Sequence, residues 1–569
     1  MKHILFSIFG LLAFSFSAQS QFGLPQADLS NTLPVDFVLH SVTLVPEPGQ
    51  KLDSAFLVVK QGKIVSVGKG KSFPAGLPLW DGKGAWVYAS FIDVYSAYGI
   101  QAPAGPVSPS SSAPQYESKR AGNVLWNQAL KPELAASSFF QVPAKEAAEL
   151  RKLGFGFMGA SLKDGIMRGS AALYRLGEES PEKVLVKDGI YQALSFQKGS
   201  SQQQYPSSQM GAIALLRQTF LDADWYDKNP ARETNLGLAA IQQHRKGLWL
   251  FDVQQKYEVL RAAAIANEFG LKLLIKGKGD EYQRLEEIKA MRFPLVLSLQ
   301  FPELPDVEDP LDAHLVSIGD MKHWELAPAN AAMLESAGIP FVFTLSDLKD
   351  PKTFQQQLRR AIDAGLPETR ALAALTSVPA SLLGLEQKIG KLKPGMEASF
   401  FLAEGNVFQP GVRIKEHVLA GRRYRITDFS AGPASAMYRL RLDQDSSFTL
   451  HLLQKQGKTE AWLKGSGSDT SRLPINPLFD GKRISFQVRF KKPDSTFLWR
   501  FTGWETPIGF EGTVVSGPGI NQSWKARFLQ SLPVPTLPTP PVVKPEGQIW
   551  FPFQAFGKPA GTPKTPNSW

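Results

Sequence analysis

Residues 248–299 read LWLFDVQQKYEVLRAAAIANEFGLKLLIKGKGDEYQRLEEIKAMRFPLVLSL, and the rhythm of this stretch decides the fold. A short apolar run, Leu248 to Val253, precedes a helical pattern over Lys256 to Phe269. A second run, Leu271 to Lys276, precedes a second helical pattern over Glu281 to Met291, and a third run follows at Leu295 to Leu299. Apolar strands alternating with amphipathic helices at this spacing specify repeated βα units and a parallel sheet or barrel.

The same alternation extends in both directions, over residues 120 to 385. Phe341 to Leu345 is followed by a helix over Pro351 to Ala364, and a last helix over Glu368 to Thr376 is expected to stop ahead of Pro379. On the N-terminal side, Asp36 to Gly68 reads as β-branched and aromatic runs punctuated by Gly and Pro, a small antiparallel sheet. Gln101 to Ser118 is a Pro/Ser/Gly-rich loop. On the C-terminal side, strand character returns at Ala398 to Leu402 and Ile414 to Tyr424. A β domain whose pieces bracket a barrel must be assembled from both flanks, here 33–90 and 386–428 around a barrel over 91–385.

Past Ala431 the pattern alternates with period two, as in Phe448 to Leu452 and Ile484 to Phe490, which predicts an all-β module over 432–532. Residues 533–569 are Pro-rich, with apolar anchors at Trp550, Phe551, Phe553 and Phe556, and read as a linker or docking arm.

Composition narrows the function. A chain of 569 residues exceeds one ~150-residue domain several-fold, and 43% hydrophobic residues with 12 Trp and 37 Phe exclude global disorder. Lys2 and His3, the apolar run Ile4 to Phe16 and Ser17-Ala-Gln-Ser20 read as a secretory signal over 1–20, so an exported, periplasmic or extracellular protein is expected. No later stretch approaches the ~20 apolar residues of a spanning helix, so no membrane span is expected after signal removal. The absence of cysteine rules out disulfides and thiolate metal sites. Lys and Arg are dispersed, so the net charge of +11 reads as a solvated surface and no nucleic-acid partner is expected.

Several segments together resemble the amidohydrolase superfamily. They are Gly62-Lys-Ile-Val-Ser-Val-Gly68, Asp81 to Asp93 (DGKGAWVYASFID), Gly365 to Thr376, Pro379-Ala380, Leu383-Gly384 and Ile389-Gly-Lys-Leu-Lys-Pro-Gly395, in that order. The resemblance spans roughly Leu33 to Tyr424. It implies an α/β fold, a (β/α)8 amidohydrolase-type barrel with a composite β-sandwich from both flanks. It also implies one or two divalent metals, held by a His-x-His pair past the first barrel strand, by one His after each of two later strands, and by an Asp at the last. Imidazole binds Zn²⁺ firmly while leaving it able to acidify a bound water, whose proton the Asp takes.

At those positions this sequence has Tyr95 and Ala97 for the pair, Asp252 and Lys276 for the two later histidines, and Asp347 for the Asp. An ammonium repels a divalent ion. The expected metal set is therefore none, Asp347 remains as the candidate catalytic residue, and an ion pair between Lys276 and Asp347 is expected within about 6 Å. His244, His314 and His323 lack local chelate spacing, and the acidic loop Asp306, Glu308, Asp309 and Asp312 lacks the glycine of a Ca²⁺ loop.

Trp126 to Glu133, Asp164 to Ser170, Phe301 to Pro310 and Lys322 to Pro328 further resemble the N-terminal half of duplicated, exported bacterial amidohydrolases whose second half keeps the His motif. This chain stops about where that second half would begin. Three functions follow as expectations. One is a non-catalytic, ligand-depleted pseudoenzyme paired with a catalytic amidohydrolase subunit or with itself. Another is an active periplasmic hydrolase of carbon–nitrogen bonds using Asp252, Lys276 and Asp347, with Zn²⁺ as cofactor if metal is used. The last is a ligand-binding scaffold.

Overall fold

The computed structural model describes residues 36–532, apart from 71, 102–113, 230–232, 306–314, 427–434, 443–445, 456–457, 466–471, 481–482, 493–494, 507 and 517–519. The expected signal, the Pro-rich arm, most of the 101–118 loop, the acidic loop and His314 lie outside the described residues. Among the described residues no helix is long and apolar enough to cross a membrane.

Strands β1 (Phe37–Val45), β2 (Leu52–Lys60), β3 (Lys63–Lys69), β4 (Leu79–Asp81) and β5 (Trp86–Ala89) come from the N-terminal flank. The barrel then supplies β6 (Phe91–Ser96), β7 (Phe155–Ala160), β8 (Met167–Arg175), β9 (Leu185–Ser195), β10 (Leu248–Asp252), β11 (Lys272–Lys276), β12 (Leu295–Ser298) and β13 (Phe341–Thr344). Strands β14 (Phe400–Ala403), β15 (Ile414–Leu419) and β16 (Arg422–Arg425) return to the first sheet, in the order β16-β15-β14-β5-β1-β2-β3 with β4 beside β1.

The 36–68 segment is antiparallel as expected, with β2 paired to both β1 and β3; the sheet becomes mixed where β4 and β5 join β1. Strand β1 breaks at Ser41, which has a left-handed φ of 56°. Before the break its residues Val38 to His40 run parallel to β4, and after it Thr43 to Val45 run parallel to β5. The change of partner folds the sheet over a core that includes Phe37, Leu44, Leu57, Val87, Phe400 and Val418.

The barrel runs β13-β12-β11-β10-β9-β8-β7-β6. Its strands are parallel except β8, which is antiparallel to both β7 and β9. The seam between last and first strand is bridged by Thr344 Oγ1 donating to the Tyr95 carbonyl at 2.8 Å and by the Leu345 amide donating to Asp93 Oδ2 at 2.8 Å. Leu250, Leu274, Val296 and Val342 share one interior cluster, while Phe251, Ile275, Leu295 and Phe343 pack outward under the helices. Because side chains alternate along a strand, the residues two beyond Leu250 and Leu274, namely Asp252 and Lys276, also face the lumen, at the C-terminal mouth.

The helix expected to end ahead of Pro379 breaks at Thr376, and a new helix, Ser377–Leu382, contains the proline. Proline is tolerated there because the amide hydrogens of a helix's first turn have no intrahelical acceptor. The C-terminal module forms a nine-stranded antiparallel sheet over Ala436–Leu442 to Ile520–Ser531, in which the first strand pairs with the last. Its core centres on Trp524, Phe501 and Leu440.

Candidate functional site

The mouth of the barrel holds a closed network of charges. Asp252 and Lys276 are register partners on β10 and β11. Asp252 Oδ2 accepts from the Tyr95 hydroxyl at 2.8 Å and from Arg168 Nη1 at 2.8 Å, while its Oδ1 lies 3.5 Å from Lys276 Nζ without accepting a hydrogen bond. Arg168 Nη1 also reaches the Tyr95 hydroxyl at 3.0 Å, and its Nε donates to the Gly165 carbonyl at 3.0 Å. On the far side Lys276 Nζ pairs with Asp347 Oδ2, which also meets Lys278 Nζ at 3.2 Å. The expected Lys276–Asp347 pair is therefore present, with Lys276 shared between two carboxylates.

Burial makes these contacts consequential. Lys276 and Arg168 are almost fully enclosed. Burial alone would raise the Asp252 carboxyl, but Arg168 and Lys276 outweigh it and hold it below the usual carboxylate value. The Tyr95 hydroxyl is pushed well above its ordinary value by burial and by the Asp252 charge beside it. Asp347 has a left-handed φ of 75°, a strained conformation for a non-glycine residue that its surroundings must enforce.

Of the residues singled out from sequence, Tyr95, Asp252, Lys276 and Asp347 come together. Ala97 does not: it follows β6 as the exposed start of a turn, its carbonyl accepting from the Ile100 amide. Of the histidines, His323 Nδ1 sits 3.2 Å from the Tyr282 hydroxyl and His244 caps the helix Leu236–Gln243, so neither joins the network.

Asp93, Lys163 and Arg168 had not been singled out. Arg168 is the one charge inside the apolar run of β8, and a buried arginine in such a run demands a carboxylate partner. Lys163 lies on the turn between β7 and β8, with Nζ 2.8 Å from the Tyr95 ring centroid and no hydrogen-bond partner. Burial drives this amine well below the ordinary lysine value; the Asp252 carboxylate opposes the shift, while Arg168 and Lys276 reinforce it.

Asp93 accepts from the amides of Tyr95 and Leu345, at 2.9 and 2.8 Å, yet complete burial raises its carboxyl to about 6. Its folded value exceeds the unfolded one of ~3.9, so its contribution to stability is full below the unfolded value and vanishes as pH rises through 6. Relative to Asp93→Asn, the parent is expected to gain about 1–2 kcal/mol on going from pH 7.5 to pH 5. Urea titrations of both proteins at the two pH values check this; parallel pH dependence would contradict it.

Among solved structures, the chain is similar to an amidohydrolase from Thermotoga maritima MSB8, with 21% identity, coverage of 68% of this chain and 100% of that one, and a TM-score of 0.56. The chain has the amidohydrolase fold. A β-aspartyl dipeptidase from Fervidobacterium islandicum-AW-1 also matches, at 12% identity over 68% of this chain and 97% of that one, but its TM-score of 0.40 is too low to add weight. No family model and no curated protein matches the chain.

Divalent metals are what the resemblance implies for an amidohydrolase barrel, and the residues at this mouth do not fit them. Among the described residues no three His, Cys, Asp or Glu side chains gather in a way that could hold a metal ion. Asp252 is engaged by Arg168 and Lys276, and Asp347 by Lys276 and Lys278. A divalent ion ~4 Å from the Lys276 ammonium would meet a repulsion of about 8 kcal/mol at an effective dielectric of 20. The fixed cations therefore occupy the electrostatic role that a metal would otherwise have between these carboxylates.

Proposed function

We propose that this chain is a non-catalytic amidohydrolase-type barrel that works as the partner of a catalytic amidohydrolase. The observation that carries the reading is the Lys276 ammonium shared by Asp252 and Asp347, backed by Arg168. Both carboxylates that could activate a water are neutralised by buried cations of the same chain. The arrangement serves as internal bracing at the place where the fold family does its chemistry, and that moves the expected function to a surface.

Co-purification of the full chain from its native host tests the reading. A bound hydrolase is expected, and a chain that elutes alone under gentle conditions would count against it. Zn²⁺ or Mn²⁺ added to the purified protein is expected to leave the melting temperature unchanged, because only a ligand that binds the native state raises it. A rise that depends on metal concentration and disappears in Asp252→Asn would overturn the metal-free part of the proposal.

One observation favours a second reading, a hydrolase of carbon–nitrogen bonds acting without metal. Asp347 and Lys278 are only partly enclosed, so an acid and an amine stand at the open side of the mouth. Turnover of N-acyl amino acids or dipeptides that is abolished in Asp347→Asn would establish that reading in place of the first.

A further inference from the structure

Cations that lie far apart in the sequence come together on the outer face of the C-terminal sheet. Its first strand, Ala436–Leu442, lies between the last, Ile520–Ser531, and the second, Ser446–Lys455, beyond which come Lys458–Gly465 and Arg472–Ile475. Leu440, Leu442, Trp524 and Ala526 belong to the core, so the alternate residues Arg439, Arg441, Lys525 and Arg527 point outward and are exposed. Register then sets their neighbours. Arg439 faces Arg527 on one side and Thr449 on the other, Thr449 faces Lys464, and Lys464 faces Arg472. One line across five strands therefore carries four cations, over about 19 Å at the usual strand separation of ~4.8 Å. Arg441 and Lys525 face each other two residues along.

Three of these register pairs, Arg439 with Arg527, Arg441 with Lys525 and Lys464 with Arg472, set like charges directly opposite each other, which costs stability. A face that serves only solubility intersperses the two signs. Here the relief is slight. Glu511 lies 3.9 Å from Lys525, both side chains being largely exposed, and among the described residues Arg439, Arg441, Arg527 and Lys464 have no ion-pair partner. Arg472 lies over the Trp462 ring, 5.1 Å from its centroid, and His451 stacks on the same ring with centroids 4.8 Å apart.

We propose that this face binds a linear acidic polysaccharide laid across the strands, its carboxylates meeting Arg527, Arg439, Lys464 and Arg472 in turn. Each opposed pair of cations offers one carboxylate two charged donors, and hydrogen bonds of that kind are about twice as strong as neutral ones. Binding thus removes the repulsion that the folded sheet otherwise carries. The line of charge favours a linear polyanion over an anionic membrane, whose surface has no such axis. Single-stranded nucleic acid is held largely by bases stacking on free aromatic rings, and the ring beside this line, Trp462, is already engaged by His451 and Arg472. The proposal is independent of whether the barrel catalyses anything.

Titration of the full chain with alginate oligosaccharides, which are linear polyuronates, tests it. Binding is expected in about 50 mM NaCl and is expected to be lost in about 500 mM NaCl, because salt screens exposed charges. The double variant Arg439→Gln, Arg527→Gln is expected to bind at least about tenfold more weakly while melting no lower than the parent, since it removes an opposed like-charge pair. The double variant Lys60→Gln, Lys145→Gln makes the same change in net charge at exposed positions on other elements and is expected to keep its affinity within about twofold. Absence of alginate binding, equal losses in the two double variants, or a lower melting temperature for the first would each overturn the proposal. So would tighter binding to single-stranded DNA or to phosphatidylglycerol vesicles than to alginate.

Discussion

Asp252→Ala is expected to destabilise the barrel by about 3–5 kcal/mol, the cost of stripping a buried ion network of its central charge. In the parent, Asp252 Oδ2 takes hydrogen bonds from Tyr95 and Arg168, and Oδ1 faces Lys276. Removing the carboxylate leaves a buried guanidinium without its counter-ion and a buried ammonium with Asp347 alone. It also leaves the Tyr95 hydroxyl in a dry site without its acceptor. Asp252→Asn should lie between parent and alanine, because the shape and one acceptor oxygen remain. If buried polarity sets the cost, the triple variant Asp252→Leu, Arg168→Met, Lys276→Met should recover much of it, since apolar residues of similar volume often match a buried ion network. Urea unfolding followed by near-ultraviolet circular dichroism measures the series. An alanine variant within about 1 kcal/mol of the parent would mean that the network contributes specificity without stability.

Much of this network was legible in the sequence, for a reason that lies in strand geometry. In LWLFD and LKLLIK the apolar runs end on a charge, and period-two alternation puts that charge on the same face as the interior leucine two residues earlier. Opposite charges at the ends of β11 and β13 then find each other across the mouth, as Lys276 and Asp347 do. The parts that were not legible come from β7 to β9. Strands β7 and β8 are buried on both faces and read as nearly continuous apolar runs, so the pattern carries no sign of direction. Nothing in Met167 to Arg175 announces an antiparallel strand, and without that reversal the inward position of Arg168 cannot be deduced. Lys163 is hidden for a related reason: a lysine on a tight turn is ordinarily solvated. Only the packing of that turn over the Tyr95 ring buries its amine. The fold-over of the first sheet was equally silent, since it depends on one left-handed residue, Ser41, in a strand of otherwise ordinary β character.

Acid should act on this protein first through His417. The imidazole is fully buried where β15 meets the helix Ala144–Lys152, with Nδ1 3.2 Å from the Arg151 carbonyl and Nε2 2.8 Å from Ser90 Oγ. A carbonyl only accepts, so Nδ1 carries the proton and the neutral ring accepts from Ser90 at Nε2. Burial lowers the folded value to about 3; the Arg151 carbonyl opposes that shift and the Arg151 charge adds to it. The unfolded chain, with its ordinary value of ~6.5, therefore binds a proton that the folded state refuses. Stability from this group is complete above 6.5 and falls as pH drops toward 3, losing about 3 kcal/mol between pH 7 and pH 4.5. Asp93 pulls the other way over the same interval, because its raised carboxyl favours the folded state as pH falls. The two single variants should consequently diverge: His417→Gln flattens the loss of stability in acid, and Asp93→Asn steepens it. Chemical denaturation of the parent and both variants at pH 7 and pH 4.5 measures the two slopes, and a His417→Gln profile parallel to that of the parent would show that the ring is protonated or solvated in the native state.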